Sequence, residues 1–531
     1  MSRAEPKSSP TDRHAKRIAL AIAKGRSPRP DAEFDRYCES SPREIFAAFA
    51  GLVRHLPPAG KDKALALGYL SVLQALLEHL RFRRDRGYAD ATKLIADFQA
   101  ELAARTEAGE LDGTGLALLS SALHQAKIPV SQEFAAASAK RAIDEDEREP
   151  SAADLHAALA GILKSCGGDP FSIATSLIET GHGRPAEHRG VLAEALALDA
   201  APPARAAAVL FLLDSDSAIR QQVAGLLLRV AASLTPIDVR RLIAVRNWRP
   251  ENERVQVDAI VRKARAAGTD CAQWEAGSVE TALATPVDGS AAQAFMMISP
   301  AARKKRLASI LTKGGIAQTS IGEPQTGRQI ETSIDDLGAP TIEVTRLYLD
   351  GMVSHHLALG IDKGEVPPLG LLEVAETIGG ADWQPARMDF RETLARLMSE
   401  IPKEMCGGGP LASLLDRSGE LADLEAVAEA WFEDDPQVAN AVEGVAGRDR
   451  EKLADYLLRG VFAGRRERWA DIFLRTALCM RGAIPQGDLC WRELVLVAQA
   501  VAEGRDLTEI GLMRDIALRT IEVHSESVEG M

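Results

Sequence analysis

His355 and His356 are the only neighbouring histidines in the 531-residue chain, and paired imidazoles suit a metal site or an acid–base centre. On a helix, consecutive side chains diverge by about 100°, so both rings cannot turn to one metal. The pair reads as one packed ring and one solvent-facing ring. His182 and His188 bracket the loop sequence GRPAE with no cysteine or third ligand beside them. Cys406 stands before Gly-Gly-Gly-Pro. A thiol near a helix N-terminus is acidified, and glycine lets a ligand approach the backbone closely. A helix starting at Pro410 provides that geometry; the plainer reading is a turn between helices. The phosphate-loop, zinc-protease, nucleophile-elbow and calcium-loop motifs are missing, as is a dinucleotide glycine motif between a strand and a helix. The six cysteines contain no C-x-x-C pair, which argues against a zinc centre or a disulfide framework and fits free thiols. These residues assign no catalytic group, no metal and no cofactor.

Basic side chains cluster more distinctly. Arg81, Arg83, Arg84 and Arg86 form one group, and Arg303 to Arg306 another. The stretch from Asp238 to Arg265 holds eight Lys/Arg against four acids, with Trp248 in its midst. Arginine and tryptophan are frequent interface anchors. Arg240, Arg241, Arg246, Trp248 and Arg249 are therefore the candidate partner-binding residues. In this reading Arg241 and Arg249 meet acidic groups of the partner while Trp248 fills a pocket. The formal net charge is −13. That total repels phosphate backbones, so nucleic-acid binding requires a segregated arginine-rich face.

The elements that carry these residues are mainly helical. Hydrophobic residues make up 46% and aromatics only 5% of a chain rich in alanine and leucine, a composition that favours helices. Residues 1–30 carry eight Lys/Arg against two acids and read as a disordered basic tail with one short helix. They contain no signal-peptide core. Residues 31–150 form an N-terminal helical domain, with helices near 89–107, 112–126 and 131–143 and a long helix ending in basic residues at Gly87. The acidic run 144–150 is a linker. Shorter, regularly capped helices fill 151–268. Residues 269–338 read as an irregular or small α/β insertion, with short β-tolerant runs around a helical segment at Pro300–Lys313. Residues 339–531 return to helix. The longest apolar run, Ala64 to Leu80, is too short to cross a bilayer and carries Gln74, Glu78 and His79.

Between Leu213 and Ile219 an acidic turn, Asp214 and Asp216, separates two apolar helical stripes. Its carboxylates can accept the unpaired N–H groups that open the second helix. Asp216, Ile219 and Arg220 match the turn of a HEAT repeat, and the segment resembles that armadillo-type helical-hairpin family. Asp435, Val438 and Val442 repeat the skeleton, with Ala439 in place of the arginine, which puts the arginine ladder there in doubt. The resemblance covers 202–233 best and 151–268 more loosely. It implies an irregular α–α superhelix of HEAT-like hairpins with an open binding surface and no particular chemistry.

The expected function is a non-enzymatic protein–protein interaction scaffold in the cytoplasm, with a protein or peptide partner and no membrane. A nucleic-acid binder using arginine-rich helical faces is the first alternative. An enzyme built from distant residues, with Cys406 or the His355/His356 pair as candidates, is the second.

Overall fold

The computed structural model describes residues 9–23, 32–56, 62–145, 152–181, 186–274, 278–335, 338–378, 383–422, 430–433, 436–443, 449–484 and 490–529. The chain divides into two compact units, Met1–Leu196 with Gly530–Met531, and Ala197–Glu529. Among the described residues the protein is mainly helical, with one small antiparallel sheet.

The first unit contains α1 (Pro10–Ala23), α2 (Ala32–Ser40), α3 (Ile45–His55), α4 (Lys63–Asp85), α5 (Ala89–Glu107), α6 (Gly113–Gln125), α7 (Gln132–Glu145), α8 (Ala152–Ser165) and α9 (Pro170–Gly181), and α10 (Ala186–Leu198) crosses the boundary. Asp62 caps α4 by accepting from the Leu65 N–H at 3.0 Å, and Gly87 ends it in a left-handed conformation at φ 90°. Residues 10–23 of the basic N-terminal stretch form a helix that packs along α4, with Ala15 fully buried. A methyl group at Gly68 would strike the Ala15 carbonyl, so glycine is what allows this contact. Tyr69 fixes the entry of α1 by donating to Asp12 at 2.6 Å, and that bond holds the Asp12 carboxyl below its ordinary value. The unit boundary also falls inside the stretch 151–268 that reads as one array. α9 packs on α6, whereas the helices after residue 197 pack on one another.

The second unit opens with α11 (Pro202–Leu210), α12 (Ser217–Val230), α13 (Pro236–Arg246) and α14 (Glu251–Ala266). These are two consecutive hairpins, in which α11 packs against α13 and α12 against α14. Asp216 caps α12 through the Ala218 N–H at 2.8 Å. Thr235 and Asp238 form a reciprocal capping box at α13, with Pro236 in its first turn.

The sheet follows: β1 (Thr281–Ala284), β2 (Ala292–Ala301), β3 (Lys304–Lys313), β4 (Ile316–Ile321), then α15 (Gly327–Asp335) and β5 (Ile342–Glu343). The strand order is β4-β3-β2-β1-β5, antiparallel throughout. The helix expected at Pro300–Lys313 is therefore corrected. Leu307, Ile310 and Leu311 mimic helical spacing, but the buried positions alternate as Ala308, Ile310 and Thr312. A two-residue turn, Ala302–Arg303, closes the β2–β3 hairpin with Ala302 at φ 54°.

Helices α16 (Arg346–Asp362) and α17 (Gly370–Thr377) pack on the sheet, and α15 packs against β3. The remainder is α18 (Phe390–Met398), α19 (Gly408–Arg417), α20 (Pro436–Glu443), α21 (Arg450–Arg459), α22 (Arg466–Arg481), α23 (Trp491–Ala502) and α24 (Gly511–Glu529). Its core holds Trp469, Phe473, Leu457 and Val497. The buried Glu433 carboxylate accepts from Trp469 Nε1 at 2.8 Å and from Arg465 Nη1 at 2.6 Å, while Trp431 Nε1 donates to the Val287 carbonyl at 2.7 Å. Val438 and Val442 are buried on α20; Asp435 and the Ala439 side chain lie outside the described residues.

Candidate interaction surface

The five anchors read from the sequence are engaged inside the second unit. Trp248 is 0% exposed and donates through Nε1 to the Trp383 carbonyl at 2.7 Å. Arg241 makes a bidentate pair with Glu376, at 2.9 and 2.8 Å. Arg246 does the same with Asp258, at 2.5 and 2.8 Å, and this pairing holds Asp258 below its ordinary value. The Arg240 guanidinium lies 4.1 Å from the centre of the Trp274 ring. The groups these residues engage belong to the same chain. Glu376 and Trp383 are each 135 residues from the side chains they receive, which no local pattern reveals.

Arg249 is also 0% exposed. Its Nη1 donates to the Leu212 carbonyl at 2.8 Å and its Nη2 to Glu253 at 2.6 Å. Arg220 reaches the same carboxylate, with Nη2 to Oε1 at 2.7 Å and Nε to Oε2 at 3.0 Å, and it also caps the acidic turn through the Asp214 carbonyl at 2.8 Å. Burial pushes Arg249 down to about 10, with Glu253 pulling it back up. Burial pushes Glu253 upward, but the two guanidinium groups outweigh it and hold the carboxyl below its ordinary value. Arg249 and Glu253 are thus both charged at neutral pH. Two cations share one carboxylate in a dry site, and removing that carboxylate leaves two buried guanidinium groups without their counter-charge.

The residues suited to catalysis are also packed. His355 and His356 are both buried, so neither ring faces solvent. His355 Nδ1 accepts from the Met388 N–H at 3.0 Å. Burial lowers His355 to about 4; burial and then the Arg475 charge lower His356 to about 2. Both are neutral imidazoles under a helix. Arg475, beside His356, is held by Asp471 at 2.8 Å. Cys406 is partly buried, its thiol 3.5 Å from the Pro402 carbonyl in the turn before α19, which starts at Gly408. His182 and the His188 side chain lie outside the described residues.

The basic run Arg303–Arg306 differs. Residues 292–322, which make up β2, β3 and β4, contain five Lys/Arg and no acid, in a chain where acids outnumber bases 76 to 63. Arg303 and Lys304 are exposed at the hairpin tip and Arg306 is half-buried. Lys305 fixes the tip through Glu280 at 2.7 Å and through paired backbone bonds with Gln325. Among the described residues, Arg303, Lys304 and Arg306 form no ion pair. The sequence displays this run plainly, but a helical reading of the segment hides that it spans the β2–β3 turn and the start of β3.

Residues 185–268 match the family model described as the Y4lR second domain, and residues 391–525 match the Y4lR C-terminal helical domain. The first match contains α11–α14 and the second contains α19–α23, so the sheet lies between them. The chain is also similar to a protein of Sinorhizobium fredii (strain NBRC 101917 / NGR234) named "Uncharacterized protein y4lR", at 24% identity over 384 residues, 70% of this chain and 72% of that one. No solved structure matches.

Proposed function

We propose that the chain is a non-enzymatic, cytoplasmic interaction scaffold that docks an acidic protein partner on its cationic β2–β4 sheet. The HEAT-like hairpins α11–α14, continued as an irregular superhelix, serve as the frame. One observation carries the reading: the acid-free stretch 292–322 ends in a braced tip whose Arg303, Lys304 and Arg306 have no ion-pair partner among the described residues. Unpaired charge on a fixed turn steers an oppositely charged surface without losing much side-chain or loop entropy. The excess of acids elsewhere in the chain favours a protein partner over a phosphate backbone. Among the described residues, no helix is long and apolar enough to cross a membrane.

The test is binding of labelled polyglutamate to the full chain across a salt series. The proposal expects binding that weakens with salt and is lost in the triple variant Arg303→Glu, Lys304→Glu, Arg306→Glu, while Arg229→Glu with Arg265→Glu leaves it unchanged. Failure to bind at low salt overturns the proposal. Tighter binding of duplex DNA at equal salt replaces it with the nucleic-acid reading.

A further inference from the structure

We infer that the outer edge of β4 takes up an extended acidic peptide as a sixth strand. This rests on the cationic-sheet proposal and specifies how the partner is held. In an antiparallel ladder, hydrogen-bonded pairs alternate with non-bonded ones. The Gly322 N–H donates to the Leu307 carbonyl at 2.8 Å, so Leu307 and Gly322 form a bonded pair. With the register Ser309↔Ser320 and Leu311↔Gln318, those pairs are bonded too. The N–H and C=O groups of Thr319 and Ile321 therefore point away from β3. None of these four groups has a hydrogen-bond partner among the described residues. β4 is the terminal strand, and α17 seats Gly370 against the Thr319 side chain.

Exposed edges are normally guarded by a charge, a proline or a bulge. β4 reads Ile-Ala-Gln-Thr-Ser-Ile and has neither charge nor proline. The one irregularity lies between Leu311 and Thr312, opposite the start of the strand, which leaves residues 318–321 in regular register. This edge has the form that main-chain strand addition uses.

The flanking charge selects the occupant. Lys313 ends β3 beside the start of β4, and Lys363 reaches the Gly314 carbonyl at 2.7 Å. Arg303, Lys304 and Arg306 lie beyond its far end, where Lys305 bridges Gln325. These basic groups outnumber Glu365 and Glu323 at the two ends. A second copy paired antiparallel through β4 would set Lys313 and Lys363 of one chain against Lys304 and Arg306 of the other, and that repulsion disfavours it. An acidic strand meets basic groups at both ends.

The experiment uses the full chain and a fluorescent peptide of alternating glutamate and valine about 10 residues long, the upper range of natural strands. Two controls carry the same charge: the peptide N-methylated at alternate residues, and a flexible glutamate–glycine peptide. The inference expects both controls to bind at least about tenfold more weakly, because each loses the ladder or the strand preference that builds it. It also expects Thr319→Pro, which removes an outward N–H, to weaken only the alternating peptide. Retained glutamate–glycine binding in that variant shows that the fold is intact. Equal binding of all three peptides overturns strand addition and leaves the cationic-sheet proposal standing. Failure of every acidic peptide to bind at low salt overturns both.

Discussion

The second unit contains two arginine-rich segments with opposite fates. Between Asp238 and Arg265 the basic residues are interleaved with acids that receive them: Glu253 takes the buried Arg249, together with Arg220 from α12, and Asp258 takes Arg246 at the surface. Between residues 292 and 322 there is no acid to receive them, and the basic side chains remain on the sheet. A basic run reads as a surface for a partner when the same element offers it no carboxylate. Where carboxylates recur within a turn or the next helix, the run more readily becomes an internal brace. Trp248 and Arg241 follow the same logic at longer range, with Trp383 and Glu376 supplied by a later segment.

Substitutions that expose this contrast should differ by several kcal/mol. Glu253→Ala removes the shared carboxylate from two buried guanidinium groups and is expected to cost about 3–5 kcal/mol in chemical denaturation, as for other broken buried pairs. A cost under about 1 kcal/mol, the range of surface ion pairs, would mean that the triad is solvated and the contrast is lost.

Acid provides the next largest effect. His355 has an ordinary value of 6.5 and is pushed to about 4 by burial. Between those values the unfolded chain binds a proton that the fold refuses, so stability is intact above pH 6.5 and is lost as pH falls toward 4. The loss from His355 alone is about 3 kcal/mol. It should shrink in His355→Gln when the pH dependence of unfolding is compared with the parent; an unchanged profile would place the imidazole in water. Trp248→Phe removes the bond to the Trp383 carbonyl and is expected to cost about 1–3 kcal/mol. At the sheet, Arg303→Ala and Lys304→Ala should each stay within about 0.5 kcal/mol in the same denaturation experiment. A larger cost would show the tip to be structural.

Much of the helical architecture was legible because its signals are local. Asp62, Asp216 and Thr235 cap α4, α12 and α13 through hydrogen bonds to N–H groups two or three residues on, and Gly87 closes α4. The Asp216–Ile219–Arg220 signature also marks a turn that Arg220 does cap through the Asp214 carbonyl. The sheet was less legible. Leu307, Ile310 and Leu311 satisfy a helical period, and the residues that decide for a strand are their partners across β2 and β4. The sidedness of Trp248 was hidden for a similar reason, since its hydrogen-bond acceptor lies 135 residues away. Both histidines of α16 are buried because the sheet and a later helix bring side chains over them, as with Arg475 beside His356.

Arginine labelling of the native full chain with phenylglyoxal, read site by site by mass spectrometry, tests the central contrast most directly. The account predicts rapid modification of Arg303, with Arg220, Arg241 and Arg249 protected until denaturant is added. Modification of Arg249 and Arg241 as fast as that of Arg303 would contradict it.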